Sequence, residues 1–169
     1  MNKEITYTFE QLPQVAKELA EKLVDTDSVH LRTIPDIPAN WSNAALADKW
    51  AKVFAVRRVI TSALEPLRQE KTIGSSLQAA PTVHLSNDLH AAVSGVDFTE
   101  VAIVSGVTAH AGDGPASAVR LDDIAGVAVE PTLADGEKCQ RCWQVLPEVA
   151  SHSEHICGRC DTAVSALEG

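Results

Sequence analysis

The fold of this chain is decided by two stretches near its end, Lys138-Cys139-Gln140-Arg141-Cys142-Trp143 and Ile156-Cys157-Gly158-Arg159-Cys160. They hold all four cysteines of the protein, as two Cys-x-x-Cys pairs. Two intervening residues let the backbone turn tightly, so both thiolates of a pair point at one centre. Two such turns supply the four sulfurs of a closed tetrahedral zinc site. The pattern predicts one structural Zn²⁺ with the ligands Cys139, Cys142, Cys157 and Cys160.

Two other uses of the cysteines are weaker. Two disulfides would require an oxidising compartment, and the chain opens on Met-Asn-Lys-Glu rather than on a basic and then apolar signal segment. A thioredoxin-type redox pair needs one Cys-x-x-Cys motif rather than two matched copies. His152 and His155 lie between the pairs and could replace a cysteine as ligand, but with four cysteines present they are expected to be loop histidines. A closed four-thiolate site has no open coordination position, which argues against metal-assisted hydrolysis.

Composition limits the remaining choices. The 169 residues are 45% hydrophobic and carry a formal charge of −9, which argues against a general nucleic-acid coat. The basic residues are nevertheless clustered in two places, the stretch 57–71 and the surroundings of the cysteines. No stretch approaches the ~20 apolar residues of a membrane span, so no membrane partner is expected. The expected location is the reducing cytoplasm.

Hydrophobic periodicity predicts a long helix in the first half of the chain. Ser42 or Asn43 can cap it, and it should run to about Lys71, with Pro66 kinking it or interrupting its hydrogen bonds. Gly74 then provides a permissive backbone after the helix end. The apolar stripe of this helix consists of Leu46, Trp50, Val53, Val56, Ile60, Ala63, Leu64 and Leu67.

The elements on either side of this helix are shorter. A strand over 3–10, a helix with Leu12, Val15, Leu19 and Leu23 on one face, and an extended piece over 27–31 precede it. Strands over 82–85, 100–107 and 126–130 and a short helix over 87–94 follow. The predicted fold class is α+β, a long helix plus a small mixed sheet, followed by a four-cysteine zinc knuckle or ribbon.

No pattern of catalytic residues is found. The serines lack a Gly-x-Ser-x-Gly setting, and His30, His84, His90 and His110 are scattered without partners. The glycines at 106, 112 and 114 do not form a phosphate-binding loop. The chain on its own is predicted to be non-catalytic.

Several motifs together resemble the C-terminal region of bacterial isoleucyl-tRNA synthetase. The segment 136–143, followed by 156–160 with Ala163-Val164 behind it, is similar to the zinc module of that family. The stretches 27–31, 50–71 and 71–80 also resemble it, in the family's order, and the likeness covers residues 27–167. Residues 1–24 instead resemble the opening of a bacterial ATPase of tRNA threonylcarbamoyladenosine synthesis, whose phosphate-binding loop is absent here.

The resemblance implies a part of a larger enzyme. The full synthetase joins isoleucine to tRNA(Ile) with ATP, and its His-Ile-Gly-His and Lys-Met-Ser-Lys-Ser signatures are missing from this chain, so the chain should be inactive alone. The implied partners are tRNA(Ile) and the remaining synthetase domains. The implied division is a divergent segment over 1–26, the end of a helical anticodon-binding domain over 27–72, an α+β junction unit over 73–133 and a zinc-binding module over 134–169.

The same resemblance suggests where tRNA is contacted. Unpaired bases are recognised by stacking on aromatic rings, while Lys and Arg hold phosphates. The candidate tRNA-binding residues are Trp143, Arg141, Lys138, Arg159, Arg57, Arg58, Arg68 and Lys71. Two alternatives remain open: Trp143 covers the metal site as core, and the arginines form a solvated face. The alternative function is a zinc-stabilised module that docks on protein without touching RNA.

Overall fold

The computed structural model describes residues 38–152 and 154–168. The chain divides into two compact units, Met1–Ser42 and Asn43–Gly169. In the first, the structure describes a 3₁₀ turn at Ala39–Trp41. The strand predicted over 3–10, the helix predicted from Leu12 to Leu23 and the extended piece over 27–31 lie outside the described residues. Among those that the structure does describe, no helix combines the length and the apolarity needed to cross a bilayer.

The predicted long helix is present as α1, Ala44–Gln69. Asn43 caps it, since its side-chain oxygen accepts a hydrogen bond from the backbone N–H of Leu46 at 2.9 Å. Its buried residues are Val53, Val56, Val59, Ile60, Ala63 and Leu64. The predicted stripe was therefore too long at its start, because Leu46 and Trp50 remain 50% and 38% exposed.

The end of α1 lies close to the predicted one at about Lys71. The helix continues through Pro66 to Gln69. The left-handed residue that ends it is Lys71, with φ 58°, and not Gly74. The N–H groups of Lys71 and Thr72 donate to the carbonyls of Arg68 at 3.0 Å and Leu67 at 2.9 Å, so these two carbonyls of the last turn are satisfied.

A four-stranded mixed sheet follows α1, in agreement with the predicted fold class. Its strands are β1 Thr82–Leu85, β2 Thr108–Ala111, β3 Val119–Leu121 and β4 Ile124–Glu130. Their order is β2-β1-β4-β3, with β1 and β2 parallel and the other two pairs antiparallel. The parallel connection from β1 to β2 contains two short helices, α2 Asn87–Ala92 and α3 Phe98–Ala102.

The strand predicted over 100–107 is wrong. This region begins as α3, because the side chain of Asp97 accepts the N–H of Thr99 at 2.8 Å and caps a helical turn. The turn ends at Ile103, which is left-handed with φ 56°. The β-branched residues of this stretch favour a strand locally, but Phe98, Ala102 and Val104 are buried around a helical turn and the bend after it. The prediction also missed β2 and β3.

Two separate apolar clusters stabilise this unit. The larger lies between α1 and the sheet and includes Val83 and Leu85 of β1 and Val127 and Val129 of β4. Alternate strand residues supply it, as expected for a sheet with one face against a helix. The smaller cluster surrounds the cysteines and includes Val149, with Leu146 and Ile156 packed against it.

Candidate metal centre

The first cysteine pair lies at the tip of a short hairpin. Its strands are β5, Glu137–Lys138, and β6, Val145–Leu146. The backbone N–H of Cys139 donates to the carbonyl of Gln144 at 2.8 Å, and the N–H of Trp143 donates to the carbonyl of Cys139 at 3.0 Å. Trp143 adopts a left-handed conformation with φ 68°, which closes the turn directly after Cys142.

The second pair lies at the start of the last helix, α4, Gly158–Glu168. A 3₁₀ helix, Pro147–Ser151, leads from β6 towards it. The N–H of Asp161 donates to the carbonyl of Cys157 at 2.9 Å, so helical bonding begins at this cysteine. Cys157 and Cys160 are both buried.

The four sulfurs converge on one point. All lie within 4.8 Å of one another, and the Sγ atoms of Cys142 and Cys157, from different turns, are 3.7 Å apart. A tetrahedral Zn²⁺ with Zn–S bonds of ~2.3 Å requires sulfurs separated by ~3.8 Å. All four cysteines are free thiols, as a four-thiolate metal site requires. The donor set therefore fits one structural zinc ion.

Burial and hydrogen bonds to sulfur shift the pKa values of the cysteine thiols in opposite directions. Burial raises the pKa of the Cys139 thiol, but the backbone N–H groups of Cys142, Cys157 and Arg141 outweigh that effect and lower the pKa to about 6. Burial raises the pKa of Cys142 to about 12 and also raises the pKa of Cys157. A bound zinc ion takes thiolates, so it displaces the protons from these two groups.

Comparison with known proteins agrees with this chemistry. Residues 136–163 match the family described as the zinc finger found in FPG and IleRS. The isoleucine–tRNA ligase of Agrobacterium fabrum is 46% identical over 153 residues, which are 89% of this chain and 16% of that protein. That of Ruegeria pomeroyi is 48% identical over 139 residues, 81% of this chain and 14% of the relative. The chain is a relative of bacterial isoleucine–tRNA ligases. The sequence-based recognition and the expectation of one zinc ion are confirmed.

The isoleucine–tRNA ligase relatives are much longer than this chain. The Caulobacter vibrioides enzyme, 48% identical over 124 residues, shares 73% of this chain but only 13% of its own length. The chain thus spans about a sixth or less of the curated relatives it matches. This is consistent with a C-terminal fragment of the ligase.

The two histidines of the ligase-like zinc module stand apart from the sulfurs. His155 is exposed, and its Nδ1 lies 3.5 Å from a carboxylate oxygen of Glu137. His152 is half-buried, with Nε2 3.7 Å from a carboxylate oxygen of Asp161. Within the described ranges, the group of side chains able to share a metal ion consists of the four cysteines.

Trp143 is the most prominent of the candidate tRNA-binding residues. It is 59% exposed, so it is not a core residue that covers the metal site. The Nζ of Lys138 lies 4.8 Å from the centre of its ring, which is a cation–π contact on one face. An aromatic ring and an ammonium group are therefore presented together beside the first cysteine pair.

The other two basic residues of the ligase-like module already have partners. Arg141 turns back to the metal site, where its Nη1 donates to the Sγ of Cys160 at 3.6 Å. Arg159 points elsewhere and lies 3.6 Å from a carboxylate oxygen of Glu100.

The remaining candidate tRNA-binding residues lie on α1 or just after its end. Arg57 donates to the backbone carbonyl of Val101 at 2.9 Å. Arg58 pairs with Asp123 at 2.7 Å and Arg68 with Glu65 at 2.6 Å, all on exposed surface. Lys71 is exposed at the end of α1. Three of these four cations thus have a protein acceptor.

Sequence reasoning missed the residue that joins the hairpin to the sheet unit. Ser105 is 7% exposed, and its Oγ accepts the backbone N–H of Val145 at 2.7 Å while donating to the carbonyl of Leu77 at 2.5 Å. Gln144 adds a contact from Nε2 to the carbonyl of Val104 at 3.5 Å. A lone serine in a Val-rich stretch carries no sequence signal for such a role.

Proposed function

We propose that this chain is the tRNA-binding, zinc-stabilised C-terminal part of an isoleucine–tRNA ligase, and that it contacts the anticodon region of tRNA(Ile). The exposed ring of Trp143 is the observation that carries this function. The ring is 59% exposed and lies beside Lys138 in a ligase-like zinc module, so an aromatic face that can stack on an unpaired base and a cation that can bind a phosphate stand together.

The zinc ion has a structural task in this scheme. Bound by Cys139, Cys142, Cys157 and Cys160, it fixes the turn that ends in Trp143 and so orients the ring before RNA arrives. Pre-ordering of a contact residue reduces the entropy lost on binding. An unpaired base stacked on the ring face opposite Lys138 contributes ~1–3 kcal/mol, and the ammonium group beside the ring can donate hydrogen bonds to a neighbouring phosphate.

The arginines of α1 act as secondary phosphate contacts. The pairs Arg58–Asp123 and Arg68–Glu65 lie on exposed surface, where such pairs contribute only ~0–1 kcal/mol, so a phosphate group can replace the carboxylate. Arg57 and Lys71 complete this basic stretch. Each phosphate neutralised steepens the dependence of the binding constant on salt by roughly one unit of slope.

Isoleucine activation takes place elsewhere in the full ligase. The catalytic signatures are absent from this chain, so ATP and isoleucine are bound by other domains, which are the chain's protein partners. The working compartment is the reducing cytoplasm, where thiolates remain available to zinc.

The decisive experiment is a titration of the zinc-loaded chain with tRNA(Ile) at low and high salt. The unsubstituted chain should bind at low salt and weaken as salt rises. Trp143→Ala should weaken binding by ~1–3 kcal/mol while the protein keeps its zinc. Trp143→Phe should recover part of the affinity, and Trp50→Ala, which removes a half-exposed aromatic ring from α1, serves as the matched control.

A protein-docking module without RNA contact is the second candidate. The charge of −9 and the carboxylate partners of Arg58, Arg68 and Arg159 favour it. Absence of tRNA binding at low salt would remove the RNA function from this fragment and leave docking on the rest of the ligase.

A further inference from the structure

The four sulfurs of the metal centre do not have equivalent surroundings. The Sγ of Cys139 accepts a backbone N–H, that of Cys157 at 3.3 Å, from the opposite cysteine turn. For Cys160, the donor found among the described residues is a side chain, the guanidinium of Arg141. This sulfur is fully buried, so water does not take the donor's place.

From this difference we infer that Arg141 is a positioning residue of the zinc centre, holding the Cys160 thiolate from the opposite cysteine turn. Arg141 lies in the first pair and Cys160 in the second, so the contact of 3.6 Å from Nη1 to Sγ crosses the site. A zinc ion with four thiolates has a net charge of −2, and a cation against one sulfur reduces that charge. Donors to metal-bound ligands fix the ligand's direction and retain the metal.

Arg159 shows that a basic residue in a cysteine turn need not act in this way. It precedes Cys160 directly in sequence, yet its guanidinium is 73% exposed and is paired with Glu100 at 3.6 Å. The two arginines thus carry the same charge and occupy the same position in their Cys-x-x-Cys motifs. Arg141 contacts a cysteine sulfur, whereas Arg159 contacts a carboxylate. This makes Arg159→Gln a matched control for Arg141→Gln.

The test uses the full chain and does not depend on RNA. Zinc affinity is measured at one pH by competition with a chromophoric chelator, for the unsubstituted chain, Arg141→Gln, Arg141→Lys and Arg159→Gln. Arg141→Gln should bind zinc about 10-fold more weakly. Arg159→Gln should retain the original affinity. Arg141→Lys keeps the charge but not the planar donor geometry, and should fall between them.

Cobalt provides a second readout. The thiolate-to-cobalt charge-transfer band should move to longer wavelength in Arg141→Gln, because loss of an N–H donor raises the energy of the sulfur lone pairs, and should not move in Arg159→Gln. If Arg141→Gln failed to take up metal, the cobalt band and zinc affinity of Arg141→Lys would decide. Equal zinc affinities for the Arg141 and Arg159 variants, with an unmoved band, would overturn the inference.

Discussion

Gly136 is the residue at which the zinc hairpin tolerates no side chain. Its φ is +108°, and a Cβ placed there would lie 2.3 Å from the carbonyl carbon of Leu146. Real Cβ atoms do not approach backbone so closely, so β5 and β6 would have to separate. Because these strands carry Cys139 and the turn after it, strain at Gly136 acts on the metal site.

Gly136→Ala is therefore expected to destabilise the zinc module. Gly112→Ala is the control, since Gly112 also has a positive φ, +123°, but open space around its Cα. Both variants carry the left-handed penalty of ~1 kcal/mol, and Gly136→Ala should lose at least about that much again through the steric overlap. Chelator-driven zinc release, faster in Gly136→Ala than in Gly112→Ala, is the measurement. Equal rates would show that the hairpin adapts.

Ser105 is the second residue on which the module depends. Ser105→Ala leaves the N–H of Val145 and the carbonyl of Leu77 without their partner in a buried position. Such a loss costs ~1–3 kcal/mol. Urea unfolding should show this decrease, whereas Ser151→Ala should not, because Ser151 is exposed and bonds only the local carbonyl of Glu148. Equal stabilities of the two variants would contradict the linking role of Ser105.

At the scale of elements, α1 contributes to the core through its middle and not through its whole length. Leu64 is 1% exposed, whereas Leu46, two turns before the buried stretch begins, is 50% exposed. The two leucines are the same residue type on the same helix and differ in burial. Substituting each therefore distinguishes the effect of packing on stability from that of helix propensity.

Leu64→Ala should therefore destabilise the sheet unit by ~2–5 kcal/mol, through lost apolar burial and the cavity left behind. Leu46→Ala should stay within ~0.5 kcal/mol, as is usual for surface substitutions. Thermal unfolding of both variants checks this. A large loss for Leu46→Ala would mean that something covers the start of α1 in solution.

At the scale of the whole molecule, the two apolar clusters predict two independent responses to metal removal. The cluster between α1 and the sheet contains no cysteine, whereas the smaller one is built around them. Zinc bound to thiolate sites of this kind supplies ~10–16 kcal/mol to folding at neutral pH.

A strong chelator, or Cys139→Ser, should consequently unfold residues 136–168 and leave the sheet unit folded. Hydrogen exchange should show loss of protection in β5, β6 and α4 with protection retained in β1 and β4. Circular dichroism should report a partial loss of helix signal. An unchanged spectrum after the metal has been removed would contradict a zinc-dependent module.

Local sequence rules determined much of this protein. The zinc site follows from two Cys-x-x-Cys motifs, and its ligands needed no knowledge of the tertiary fold because each pair is fixed by a four-residue turn. The 3.6-residue period and the Asn43 cap likewise gave α1 to within about two residues, since a helix is stabilised by contacts near in sequence. The domain boundaries inferred at 26, 72 and 133 stay predictions.

Tertiary structure decided the rest, because the deciding contacts join residues far apart in the chain. The stretch 98–107 became helix and bend because its side chains are buried against α1 and the sheet, against its local β preference. Burial also separated Leu64 from Leu46. Most clearly, the chain placed two arginines in equivalent positions within its cysteine turns, and only the packing of one turn on the other directed Arg141 to a sulfur and Arg159 to a carboxylate.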